Sequence, residues 1–177
     1  MKKISFNDKF GLTQAVLDGR KTITRRIVPF TYCKDKIHLS RYKVGEVVAI
    51  AQSYETVYHE QGLETLDMLV SGWKYSKGWR NKLFVRADFM PHHIRITDIK
   101  IERLQDISDE DCLKEGIYKG QCGSADTHFM DVYYYKGDIQ PYCTPREAFA
   151  ALIDKVSGKG TWESNPYVFV YEFKLID

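Results

Sequence analysis

Within the seven residues from Arg20 to Arg26 stand four cations, Arg20, Lys21, Arg25 and Arg26, and two threonines, Thr22 and Thr24. Two chemistries fit such a group. Clustered cations can clamp phosphate oxygens. A lysine crowded by arginines holds its proton less tightly than usual, and so can serve as a base. The residues alone leave both readings open. Other reactive types offer less. The cysteines Cys33, Cys112, Cys122 and Cys143 form no CxxC pair, so neither a zinc ribbon nor a dithiol motif is expected. The H-x-E and P-C-x-x-C signature of zinc deaminases is missing. No Walker-type or dinucleotide-binding glycine pattern occurs, and the sequence calls for no cofactor and no metal. His92 and His93 read as structural or exposed.

The chain must place these residues with one domain's worth of structure. Its 177 residues are 44% hydrophobic and 28% charged, which suits a single domain over 1–177 with a real core. Lys and Arg number 26 against 24 Asp and Glu, so bulk attraction to a duplex is weak and any nucleic-acid contact is local. No segment is long and apolar enough to span a membrane, and the residues before Lys21 lack the unbroken apolar stretch of a signal peptide, so a reducing cytoplasm is the expected setting.

Asn7 or Asp8 is expected to cap a short helix through Leu17, stopped at Gly19. Extended chain follows through Thr22, Ile23 and Thr24. Val47 to Ala51 reads as a strand covered on both faces. Leu83 to Leu104 carries strand signals, but Ile94 and Ile96 have one parity and Ile99 and Ile101 the other. A bulge near Thr97 and Asp98 resolves that conflict. Ser108 caps a helix that runs to Glu115 and stops at Gly116. Thr144, Pro145 and Glu147 spell a capping box with proline at the first helical position. Phe149, Leu152, Ile153 and Val156 then form one apolar stripe, ended by Gly158 and Gly160. Tyr167 to Leu175 alternates as a core strand. Two stretches, near 55–82 and 117–143, lack clear periodicity and are expected to be insertions or long loops. A helical turn is expected over 63–70, with Trp73 and Trp79 packing the first insertion down.

Gly19 to Arg26 resembles the signature of ASCH domains. Three further blocks agree in order: Tyr42 to Tyr54, Glu102 to Asp111 leading to Glu115 and Gly116, and Gly160 to Pro166 before the last strand. The likeness is closest to the longer ASCH proteins of phages and prophages. It implies an α+β fold, a PUA-like small β-barrel with flanking helices, carrying a cleft for RNA or a modified nucleoside. Small bacterial members include an amidohydrolase that removes acetyl from N4-acetylcytidine. Carried over, that resemblance makes Thr24 the nucleophile, Lys21 its base and Glu115 the proton donor. Arg20, Arg25, Arg26, Trp162 and Asn165 become candidates for contacting substrate or nucleic acid. Gln52 departs from the pattern, standing where many relatives carry Glu, and Ala49 stands where they favour Trp.

A threonine hydroxyl attacks an amide only with a base in reach, and lysine is a base only when its pKa falls well below about 10.4. Desolvation and the neighbouring arginines can supply that fall. In a straight strand Lys21 and Thr24 would face opposite ways, so the mechanism requires a turn between them. The alternative is a non-catalytic RNA-binding regulatory module. There the same cations touch phosphate and the aromatics stack on bases.

Overall fold

The computed structural model describes residues 1–29, 37–63, 72–124 and 128–177. Seven strands and five α-helices are assigned there. In chain order they are β1 (Lys2–Ile4), α1 (Leu12–Leu17), β2 (Ile23–Ile27), β3 (Val47–Ile50), α2 (Tyr54–Glu60), β4 (His93–Arg103), α3 (Asp109–Lys114), β5 (Tyr118–Cys122), β6 (Met130–Tyr134), α4 (Pro145–Ser157), α5 (Thr161–Ser164) and β7 (Tyr167–Leu175).

Five strands form a mixed sheet in the order β1-β3-β4-β7-β2, in which only β1 and β3 run parallel. The long antiparallel pair β4–β7 is its spine. The expected bulge is present: the register slips between Ile96 and Asp98. On β7, Val168 and Val170 point to one face, and Phe169, Tyr171 and Phe173 to the other. All five are buried, because both faces are covered.

The fold is α+β, but the expected closed barrel is not formed among the described residues. Strand β1 is only three residues long and pairs with β3, while β2 pairs with β7, and no ladder joins β1 to β2. The sheet nevertheless curls strongly. Four strand spacings in a flat sheet would separate its edges by roughly 19 Å. Instead Arg26 on β2 donates a hydrogen bond to the carbonyl of Ser5, just past β1. Side chains thus bridge a seam that backbone pairing leaves open.

The helices follow their local signals with one exception. Ser108 accepts from the Asp111 N–H at 3.1 Å, and Thr144 and Glu147 make the reciprocal capping box. Helix α1 differs: neither Asn7 nor Asp8 caps it. Asn7 instead accepts from the Lys9 N–H within a preceding turn, and the helix begins after Gly11, whose φ of 65° suits glycine.

Neither of the two irregular stretches is a mere loop. The first opens with α2, capped by Ser53, which the absence of a long apolar stripe concealed. Tyr54 stacks on Trp73 at 4.6 Å, and with Trp79 they seal a small second core around Ala49, Val57 and Met90. The helical turn expected over 63–70 falls almost wholly outside the described residues. The second stretch is a β5–β6 hairpin, obscured by its exposed polar faces. Tyr118 and Tyr134 stack across it at 5.2 Å. No helix among the described residues is long and apolar enough to cross a membrane.

Candidate functional site

Just past the end of helix α1 stands Gly19, where a φ of 72° turns the chain back. The Lys21 N–H then donates to the Ala15 carbonyl at 2.8 Å, which ties Lys21 to the helix end before strand geometry begins. Strand β2 starts only at Ile23, so strict alternation does not apply to Lys21. The turn expected between Lys21 and Thr24 lies instead before Lys21, at Gly19. Both side chains line one cavity.

Glu115 arrives from the other side. It terminates α3, and the Lys114 carbonyl accepts from the Thr22 N–H at 3.0 Å, pinning that helix end beside the start of β2. Gly116 follows with a φ of 106°. A Cβ there would stand 3.2 Å from a Leu12 methyl and 3.8 Å from the Lys21 stem, so the close approach of α3 to Lys21 depends on a glycine.

The three residues meet in a cavity of about 280 Å³ between β2, α4 and the segment leading into α1. Its apolar walls come from Phe6, Leu12, Phe149, Leu152 and Ile153. That size lies near the lower end for small-molecule sites. The α4 stripe that reads as ordinary core in the sequence therefore also forms one wall of the site.

Lys21 is 2% exposed. Its Nζ donates to the carbonyls of Ile23 and Glu115, each at 2.8 Å, and to Glu115 Oε2 in a short contact. Burial holds the Lys21 ammonium below the ordinary lysine range; the Glu115 carboxylate opposes that fall, and Arg26 and Arg25 add to it. Among the described residues, no hydrogen bond engages the Thr24 hydroxyl, although Thr24 is buried.

Arg25 is spent internally. Its guanidinium meets Glu102 at 2.6 Å, Asp111 at 2.9 Å and Glu115 at 3.2 Å. Glu102 and Asp111 are partners that the sequence did not single out. Asp111 read only as a favourable charge in the first turn of α3, and nothing local pairs a β4 glutamate with a β2 arginine. Arg26 also lines the cavity and has no carboxylate partner among the described residues.

The other candidates stand elsewhere. Arg20 lies over the Tyr118 ring at 4.1 Å and bonds its hydroxyl at 2.7 Å, with Asp18 at 3.6 Å. Trp162 and Asn165, expected near the cleft, do not line it. The Gln105 backbone N–H donates to Asn165 Oδ1 at 2.9 Å, and Gln105 Nε2 donates to the Trp162 carbonyl at 2.8 Å. Trp162 packs edge-on against Phe149. Their task is to fasten α5 to the end of β4. No cluster of metal-binding side chains occurs among the described residues.

Fold and site together define an α+β domain with a curled mixed sheet and a buried Lys–Thr–Glu group at its edge. Comparisons with protein-family models, with curated proteins and with solved structures find no match to this chain.

Proposed function

We propose that the chain is an ASCH module of the PUA-like type that acts on a modified nucleoside, hydrolysing the amide of N4-acetylated cytidine. One observation carries this reading: Lys21 and Thr24 from one stretch and Glu115 from a distant one converge on one small cavity, with Lys21 and Glu115 in direct contact.

The contact supplies the proton arithmetic. Passing one proton from Lys21 to Glu115 turns a buried ion pair into a neutral amine beside a neutral carboxylic acid. Those are the protonation states that a general base and a general acid need. Burial of Lys21, which holds its ammonium below the ordinary lysine range, makes that transfer easier from the lysine side. Substrate draws the Glu115 carboxyl toward the leaving nitrogen and frees the Lys21 lone pair for the Thr24 hydroxyl. Thr24 Oγ1 then bonds the acetyl carbon while its proton passes to Lys21. The C–N bond breaks, and the cytosine nitrogen takes the Glu115 proton. The ion pair is thereby restored. In the second half, water attacks the acetyl-threonine and gives a proton to Glu115. Thr24 leaves with the proton of Lys21, acetic acid departs and ionises in the solvent, and the neutral pair returns.

The RNA-binding alternative loses support from the same geometry. Of the four cations in the cluster, Lys21 and Arg25 are buried against carboxylates, and Arg20 is held by Tyr118 and Asp18. Arg26 alone stays without a carboxylate among the described residues, too little charge for backbone-driven affinity.

The test is incubation with N4-acetylcytidine, following cytidine by chromatography, beside Thr24→Val. Removing a hydroxyl that makes no hydrogen bond should leave folding intact and abolish product. Undiminished product in a folded Thr24→Val protein would remove the nucleophile and the mechanism with it. Absence of product from wild-type protein would rule out this substrate.

A further inference from the structure

The open seam between β1 and β2 is itself a cavity, of about 480 Å³, and Arg26 lines both it and the Lys21 cavity. Its charge is one-sided. Lys3, Arg26 and Arg41 line it, and no aspartate or glutamate does among the described residues. None of these cations has a carboxylate partner there. Lys3 Nζ donates to the Leu83 carbonyl at 2.8 Å and to that of Val85, Arg26 donates to Ser5, and Arg41 lies 5.6 Å over the Tyr42 ring. Burial and the nearby Arg41 charge both hold Lys3 below its ordinary range, as expected where like charges crowd. Tyr42, Phe169 and Tyr171 give the cavity an aromatic side; Tyr42 meets Tyr171 edge-on at 5.1 Å.

Three cations without a carboxylate partner among the described residues, set beside aromatic rings, suit a multiply charged oxyanion attached to an organic body. Arg26 joins that place to the cavity where the base is read. We infer that the seam cavity receives the phosphate ester of a nucleotide whose base enters the Lys21 cavity, so that the substrate is a phosphorylated nucleoside rather than a free one. This inference rests on the nucleoside reading of the Lys21 cavity. A free nucleotide and a nucleotide within an RNA strand share the phosphate chemistry, and the experiment separates them.

Binding is measured by calorimetry, at low and high salt, for N4-acetylcytidine, its 5′-monophosphate, a trinucleotide with the acetylated residue in the middle, and inorganic phosphate. The proteins are wild type, Arg41→Ala and Arg41→Glu. Arg41 is exposed and makes no ion pair among the described residues, so both variants should fold, which circular dichroism verifies. The monophosphate should bind roughly tenfold tighter than the nucleoside, as expected for charge-assisted hydrogen bonds. That advantage should shrink with salt and with Arg41→Ala, and reverse with Arg41→Glu. Tighter binding of the trinucleotide identifies a strand as the source of the phosphate; equal or weaker binding identifies the free nucleotide. Equal affinity of wild type for nucleoside and monophosphate overturns the inference, as does an Arg41→Ala loss that is the same for every ligand. Phosphate binding that depends on Arg41, with no nucleoside or nucleotide bound, supports the anion site and defeats the nucleoside reading. Nucleoside binding with no phosphate dependence does the reverse.

Discussion

Replacing Glu115 with glutamine isolates what its charge does for the buried site. In the native protein Glu115 neutralises Lys21 and touches Arg25 at 3.2 Å. After the change Arg25 still holds Glu102 at 2.6 Å and Asp111 at 2.9 Å. Lys21 keeps its two carbonyl acceptors but loses its only counter-charge among the described residues. Breaking a buried pair in this one-sided way costs about 3–5 kcal/mol. The two remaining carbonyls place the cost near the lower end, about 3 kcal/mol. With a urea m-value of about 2 kcal/mol/M, the unfolding midpoint should fall by roughly 1.5 M.

The pH dependence gives the sharper test. Burial already holds Lys21 below the ordinary lysine range, and Glu115 is the main group resisting that fall. Glu115→Gln therefore lowers Lys21 further. Between the folded value and the unfolded value of about 10.4, the unfolded chain binds more protons than the folded one, so stability rises with pH. The variant has the wider window, so its deficit relative to wild type should narrow as pH climbs from neutral toward about 10. Urea titrations at a series of pH values measure this directly. A deficit that stays constant or widens with pH would refute a charged Lys21 as the source of the loss. The double variant Lys21→Met with Glu115→Gln should return to within about 1 kcal/mol of wild type, since it leaves no buried charge without its counter-charge, yet it should be inactive.

Gly116→Ala forces a side chain into a φ of 106° against Leu12, and should cost about 1–3 kcal/mol while reducing turnover, because it pushes α3 off Lys21. Calorimetry and the cytidine assay report the two effects. Thr144→Ala removes the cap of α4 and should cost about 1 kcal/mol, a fall of about 2–4 °C in Tm. Cys112 is buried and its thiol is pushed up to about 12 by burial, whereas Cys122 and Cys143 are exposed. Iodoacetamide at mildly alkaline pH should therefore label the latter two and spare Cys112 until the protein is unfolded, as read by peptide mass spectrometry.

Much of the frame was legible because its signals are local or strictly periodic. The parity conflict between Ile96 and Ile99 located the β4 bulge, and the Thr144 box located the start of α4. Glu115 and Gly116 were placed at a helix end for the same reason. What escaped the sequence depends on contacts between distant segments. The seam stays open because β1 is short and its partner is β3, and neither fact is written within β1. The β5–β6 hairpin carries no apolar alternation because much of it is exposed. Arg25 read as a candidate phosphate ligand because its three acidic partners come from β4 and α3, brought to it only by the fold.

That last displacement bears on what the basic cluster is for. Arg25 crosslinks β2 to β4 and α3, and in doing so holds the Glu115 carboxylate by Oε1 while Lys21 holds Oε2. A carboxyl group that must alternate between holding and releasing a proton needs a partner that keeps its orientation without taking its place as the acid. Arginine suits that position because it stays charged at any pH the fold survives. On the proposed mechanism Lys21, whose ammonium is destabilised by burial, is left as the group that exchanges its proton with Glu115. Arg25→Lys should therefore be more harmful than its charge conservation implies. One ammonium cannot span Glu102, Asp111 and Glu115 as the guanidinium does, so turnover should fall more steeply than stability. Equal activity in Arg25→Lys would show that Glu115 needs no such anchor.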